Sequence, residues 1–180
     1  NLYPIMTILD YALEYASKGV AVFPCDPNTK APLVAHGLHA ATTDRDTITA
    51  WWGANPDALV GCPAGANGFF AVDLDVRNNA NGIQAWYDLN TKQETPAIPA
   101  ISQDTPSGGV HHIFALPSDR KIKNSTSKIA DGIDIRGNGG YIILYERQAD
   151  WKLKEAPDWL LELISEKASS PDVNLLSKSN

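Results

Sequence analysis

A chain of 180 residues with 43% hydrophobic and 20% charged side chains has the make-up of a soluble fold and the length for one domain with a proper core. No apolar run approaches the roughly 20 residues that span a bilayer, and no basic segment leads into an apolar leader at the N-terminus, so a cytoplasmic protein is expected. A net charge of -6 argues against a surface that coats nucleic acid everywhere, although it leaves room for a local basic track.

In chain order, "PIMTILDYALEYASKGV" spaces Ile8, Leu9, Ala12, Leu13 and Ala16 as one helix face and stops at Gly19. "VAVFPC" reads as a strand, "KAPLVAHGLHAATTD" as a loop, and Thr43 to Asp46 as the N-cap of a short helix through "TITAWW". "ALVGCPAG" is a further strand, followed by "FFAVDLD" and a helix around "NGIQAWYDLNTKQ". After the Pro-rich "TPAIPA" come strands at "GVHHIFAL", "GIDIRG" and "GYIILY" and a last helix at "PDWLLELISEK". Strands and helices mix without a regular βαβ period, which predicts an α+β fold. One domain is expected over 1-167, with 168-180 a linker towards further domains. Cys25 and Cys62 have no Cys or His at zinc-ligand spacing and are expected to be buried thiols.

Side chains alternate along a strand, so Phe70, Val72 and Leu74 share one face and Phe69, Ala71, Asp73 and Asp75 the other. By the same rule His112 falls with Val110 and Phe114 on an apolar face and His111 on the opposite one, while Asp134 and Arg136 oppose Ile133 and Ile135. Singly, each has a bland explanation: a polar rim, a hydrogen-bonded histidine, an intrastrand Asp and Arg pair. Jointly, three carboxylates on one open face form a hard oxygen site suited to Mg²⁺ or Mn²⁺. Two such ions can activate a hydroxyl and neutralise a transferring phosphoryl group, with the imidazole and the backbone of the "SGG" turn holding the triphosphate. That chemistry is nucleotidyl transfer. From Asp119 to Lys128, Arg120, Lys121, Lys123 and Lys128 stand against one acid, which makes the segment either a track for a template or a solvated hairpin loop.

The order "AVDLD", "TPSGGVHHIF", "GIDIRG" resembles the three motifs of the archaeo-eukaryotic primase superfamily. More narrowly it resembles the bifunctional primase/polymerase (Prim-Pol) domains of phages, plasmids and other mobile elements, and "GVAVFPC", "KAPLVAHGLHAATTD", "WW", "LVGCPAG" and "GNGGYII" fall in the family's order. The resemblance implies that Asp73, Asp75 and Asp134 are the catalytic, metal-binding carboxylates of a two-metal site and that His111 contacts the incoming phosphates. It makes Ser107, Gly108 and Gly109 the turn before that histidine, and puts Arg136 and Lys30 where they could reach the triphosphate. The implied fold is an RRM-like mixed sheet with helices on one face, packed against a small N-terminal α/β unit. The implied partners are a single-stranded DNA template, NTPs or dNTPs and a fused or associated helicase. Two departures stand out: a second histidine follows His111, and "LYERQ" replaces the family's usual Pro-Ser after the last strand. A nicking initiator would need two histidines flanking one apolar residue on the same strand face, and an RRM-like binding module would need exposed strand aromatics for base stacking. This chain offers neither pattern.

Overall fold

In the computed structural model, which describes residues 5–166, the strands sort into two sheets, each antiparallel throughout. Helix α1 (Ile8–Ser17) starts at Thr7, whose hydroxyl accepts from the Asp10 N–H while the Asp10 carboxylate accepts from the Thr7 N–H. This reciprocal cap satisfies two donors that a helix start otherwise leaves unpaired. Helix α2 (Arg45–Ala54) is capped by Asp44, inside the predicted 43 to 46 window. Both helices pack on strands β1 (Phe23–Cys25) and β2 (Leu59–Pro63), and the indole of Trp52, fully buried, donates to the Ala58 carbonyl. The two cysteines are buried here; burial pushes the Cys25 thiol up to about 12 and raises Cys62 as well, so neither is a thiolate nucleophile near neutral pH.

The second sheet holds β3 (Phe69–Leu74), β4 (Ile101–Asp104), β5 (Val110–Ala115) and β6 (Ile133–Arg136) in the order β4-β5-β3-β6. With α3 (Gly82–Thr91) between β3 and β4, this is the split βαβ arrangement expected of an RRM-like sheet. The even-numbered residues Phe70, Val72 and Leu74 form one core with Trp86 of α3 and with Leu160 and Leu161 of α4 (Asp158–Ile164). The odd-numbered Phe69 and Ala71 enter a different core with Ala12, Tyr15, Ile48, Trp52 and Val60 of the N-terminal unit. Burying an apolar side chain fully is worth about 1.5–3 kcal/mol, so β3 is fixed from both sides. Asp73, next on the odd face, lies just where that second core ends.

In several features the structure departs from the reading of the sequence or goes beyond it. A mixed sheet was expected, but every pairing of named strands is antiparallel, because α3 carries the chain from β3 to the far edge and β5 returns between them. Strand β7 (Tyr141–Ile143), whose partner the sequence left open, pairs with β2, so the unit beside the four-stranded sheet is completed by a late segment of chain. Strand β4 follows the Pro-rich stretch, where no strand was anticipated. Helix α4 also ends early: Ser165 is extended and bridges to Ile122. The predicted linker 168-180 lies outside the described residues. Among those described, no helix is long and apolar enough to cross a membrane.

Candidate active site

Register sets the geometry. On β3, Asp73 stands opposite His111 of β5 on one side and opposite Asp134 of β6 on the other. The His111 Nε2 lies 3.4 Å from Asp73 Oδ1, the Arg136 Nε 3.7 Å from Asp73 Oδ2, and an Arg136 terminal nitrogen 3.3 Å from Asp134 Oδ2. Asp73, His111 and Arg136 line a cleft of about 320 Å³ with Lys30, Arg77, Asn124, Tyr141 and Tyr145. Lys30 adopts a left-handed backbone (φ 63°), its carbonyl accepts from the Tyr141 hydroxyl at 2.8 Å, and its ammonium lies 5.8 Å from the centre of the Tyr145 ring. A left-handed non-glycine residue is costly and persists only where its surroundings hold it, here through that hydroxyl.

Asp75 and Asp134 line an adjoining depression with Asn78, Ser127 and Gly132, and Arg77 borders both spaces. Asp75 is tied by its backbone: its N–H donates to the Gly132 carbonyl and its carbonyl accepts from the Gly82 N–H. A side chain at Gly82 would collide with the Gly132 carbonyl, so this crossing of two backbones requires glycine. The Arg77 guanidinium grips Asp75 with two nitrogens, at 2.9 to 3.2 Å, and holds its carboxyl below the usual carboxylate range.

All six carboxylate oxygens of the triad therefore face a nitrogen donor: Arg77 for Asp75, Ser127 N–H and Arg136 for Asp134, His111 and Arg136 for Asp73. Among the described residues no three His, Cys, Asp or Glu side chains are gathered closely enough to grip a metal ion. Three carboxylates on neighbouring register positions have the hard-oxygen chemistry that Mg²⁺ or Mn²⁺ requires. Among their present partners, the two arginines have side chains 58% and 33% exposed.

The other anticipated residues divide. Lys30 and Arg136 line the cleft with Asp73 and His111. Ser107, Gly108 and Gly109 do not line it. The Gly108 N–H donates to the Thr105 carbonyl and the Gly109 N–H to the Thr105 hydroxyl, so these two amides are engaged within the β4–β5 turn and are not free to cradle a phosphate. Gly109 is required for another reason, since a side chain there would meet the Leu74 carbonyl. Of the basic segment, Lys121 and Lys123 border a groove with Asn124, Asn138 and Gly139 that runs into the cleft. Arg120 instead faces a separate depression beside Glu155 and Asp158, and Lys123 contacts Glu166 at 2.6 Å. Lys128 is exposed. The segment is no free hairpin: Ser125 and Ile135 exchange both backbone hydrogen bonds, which laces it to the edge strand β6.

Two residues of the site escaped the reading of the sequence. Arg77 follows "DLDV" and its partner is two residues back, a spacing that carries no strand signal. Gln103, 2% exposed on β4, holds the His111 ring at 2.9 Å. Alternation of Ile101 and Gln103 with exposed Ser102 and Asp104 was the available cue. His112 turns to the other face, as predicted, bonded to Ser102 at 2.7 Å and resting near Trp86. A family model described as "Bifunctional DNA primase/polymerase, N-terminal" matches residues 12–159. No curated protein matches the chain.

Proposed function

Because the chain belongs to the bifunctional DNA primase/polymerase family, a family of nucleotidyltransferases acting on DNA and nucleotides, we propose that its cleft joins NTPs or dNTPs to a primer or initiating nucleotide on a single-stranded template. The observation that carries the reading is the register of β3, which sets Asp73 between His111 and Asp134 at the mouth of a cleft containing Lys30, Arg77 and Arg136. Acidic and cationic groups in one cleft suit a substrate that brings both a hydroxyl to be activated and a polyphosphate to be held.

Asp73, Asp75 and Asp134 would hold Mg²⁺ or Mn²⁺, which when bound lowers the pKa of the attacking hydroxyl and neutralises the phosphoryl charge. The chain's own residues do the rest. Arg77 and Arg136 are internal counter-ions of the carboxylates in the free protein and turn to the triphosphate when it enters, where a guanidinium pairs with phosphate oxygens in two-point fashion. Lys30 adds a third cation from the N-terminal unit. His111 donates from Nε2 to a phosphate oxygen. Lys121 and Lys123 guide the template along the groove that opens into the cleft. In this reading the domain makes or extends primers in the replication of a mobile element, in the cytoplasm, beside a fused or associated helicase.

The test is incubation of the purified chain with single-stranded DNA, Mg²⁺ or Mn²⁺ and each nucleotide set, with and without a primer. Template-dependent products are expected, and their length and sugar define the substrate. No product under any combination would contradict the reading.

A further inference from the structure

The side chain of Gln103 joins the four-stranded sheet to β7 and the residues just beyond it. Its Oε1 accepts from the Tyr145 N–H at 2.9 Å and, more weakly, from the Glu146 N–H at 3.4 Å; its Nε2 lies 2.6 Å from the Ile143 carbonyl and 2.9 Å from His111 Nδ1. The orientation of this amide is not free. A backbone N–H can only donate, so the atom facing Tyr145 must be the oxygen. The NH₂ group then has two hydrogens and two acceptors, the Ile143 carbonyl and His111 Nδ1. It follows that Nδ1 of His111 carries no proton in this arrangement, and the ring's proton resides on Nε2, 3.4 Å from Asp73 and facing the cleft.

We propose that Gln103 is a positioning residue that locks His111 as its Nε2–H tautomer and aims that N–H at the triphosphate of an incoming nucleotide. The aim at a triphosphate rests on the function proposed above; the tautomer lock does not. Burial makes the lock strict. With Gln103 2% exposed and His111 6% exposed, water has little access to substitute for either partner, and a wrong tautomer would set two N–H groups against each other. Because Gln103 also binds the backbone on both sides of Leu144, the ring is oriented by the same side chain that holds β7 beside the cleft.

The direct test is ¹⁵N NMR of the histidine rings in the wild-type chain, free and with saturating dGTP and Mg²⁺ without template. A protonated Nε2 and bare Nδ1 for His111 are expected, with the Nε2–H signal moving on addition of nucleotide. A protonated Nδ1 would overturn the lock, whatever the nucleotide does. A correct tautomer unmoved by bound nucleotide would overturn the aim at the triphosphate and count against the proposed function, while the lock stood. Gln103→Glu supplies the second arm: a carboxylate beside Nδ1 accepts where the amide donated, so the ¹⁵N spectrum should show a proton on Nδ1 of His111. Gln103→Met, which keeps the volume and loses the bonds, should raise nucleotide KM about tenfold, the worth of one charge-assisted hydrogen bond, with kcat less affected. An unchanged KM in folded Gln103→Met together with an unchanged His111 ring spectrum in folded Gln103→Glu would reduce Gln103 to a structural link.

Discussion

Adjacent histidines with opposite duties give the residue scale its sharpest contrast. His111 faces the cleft beside Asp73, whereas His112 is bonded to Ser102 and rests near Trp86. His111→Ala should cut extension activity and, by leaving the buried Gln103 amide without one acceptor, also lower stability, whereas His112→Ala should lower stability and spare extension; parallel assays of primer extension and thermal unfolding check both. Burial first, and then the neighbouring His111 charge, lower the pKa of His112 from its ordinary 6.5. A histidine depressed in the fold takes up its proton more readily when unfolded, so stability is complete above pH 6.5 and falls as pH drops through 6.5 towards the folded value. The midpoint of thermal unfolding should therefore decline over that window, and His112→Gln should flatten the decline. Arg77 makes a separate prediction. Its pair with Asp75 is largely exposed and worth no more than about 1 kcal/mol, so Arg77→Ala should leave the unfolding midpoint nearly unchanged while weakening nucleotide binding about tenfold, as titration calorimetry would read.

Elements show which parts of this arrangement were legible beforehand. Alternation along β3, β5 and β6 is a local property with period two, and it was enough to assign Asp73, His111, Asp134 and Arg136 to one face and His112 to the other. What alternation cannot supply is the partner of each strand. That β7 would pair with β2, and that the segment after Lys121 would lace to β6, depend on which edges are free once the sheets assemble, and no residue in "GYIILY" or "NSTS" encodes that choice alone. Gln103 was missed because β4 has four residues behind two prolines, too short for a period to stand out. The "SGG" glycines show a related limit of the sequence: glycine reports a close approach but not to what, and here Gly109 approaches the Leu74 backbone. Gly109→Ala should accordingly cost about 1–3 kcal/mol, the usual penalty of overpacking, measurable by urea unfolding. At the basic segment, Lys121→Ala with Lys123→Ala should weaken template binding and shallow its salt dependence by roughly 0.7 in log–log slope for each phosphate no longer engaged. An unaltered slope would place the template elsewhere.

At the scale of the molecule, the cleft exists because two sheets meet. Lys30 comes from the loop after β1, Tyr141 and Tyr145 from β7 and the residues beyond it, and Asp73, His111 and Arg136 from the catalytic sheet. The shared core of Phe69, Ala71, Ile101 and Ile113 with the N-terminal unit fixes these groups relative to one another, and the cleft opens where that core stops. The central claim is that Asp73 and Asp134, on neighbouring strands, serve one catalytic centre. Single-turnover extension of a labelled primer on a single-stranded template, run with wild type, Asp73→Asn and Asp134→Asn after near-UV circular dichroism has verified each fold, tests it most directly. Both variants should lose at least about 10³-fold in rate, on the scale of removing a main transition-state stabiliser, and should retain template affinity. Extension within a few-fold of wild type by either folded variant would contradict the account.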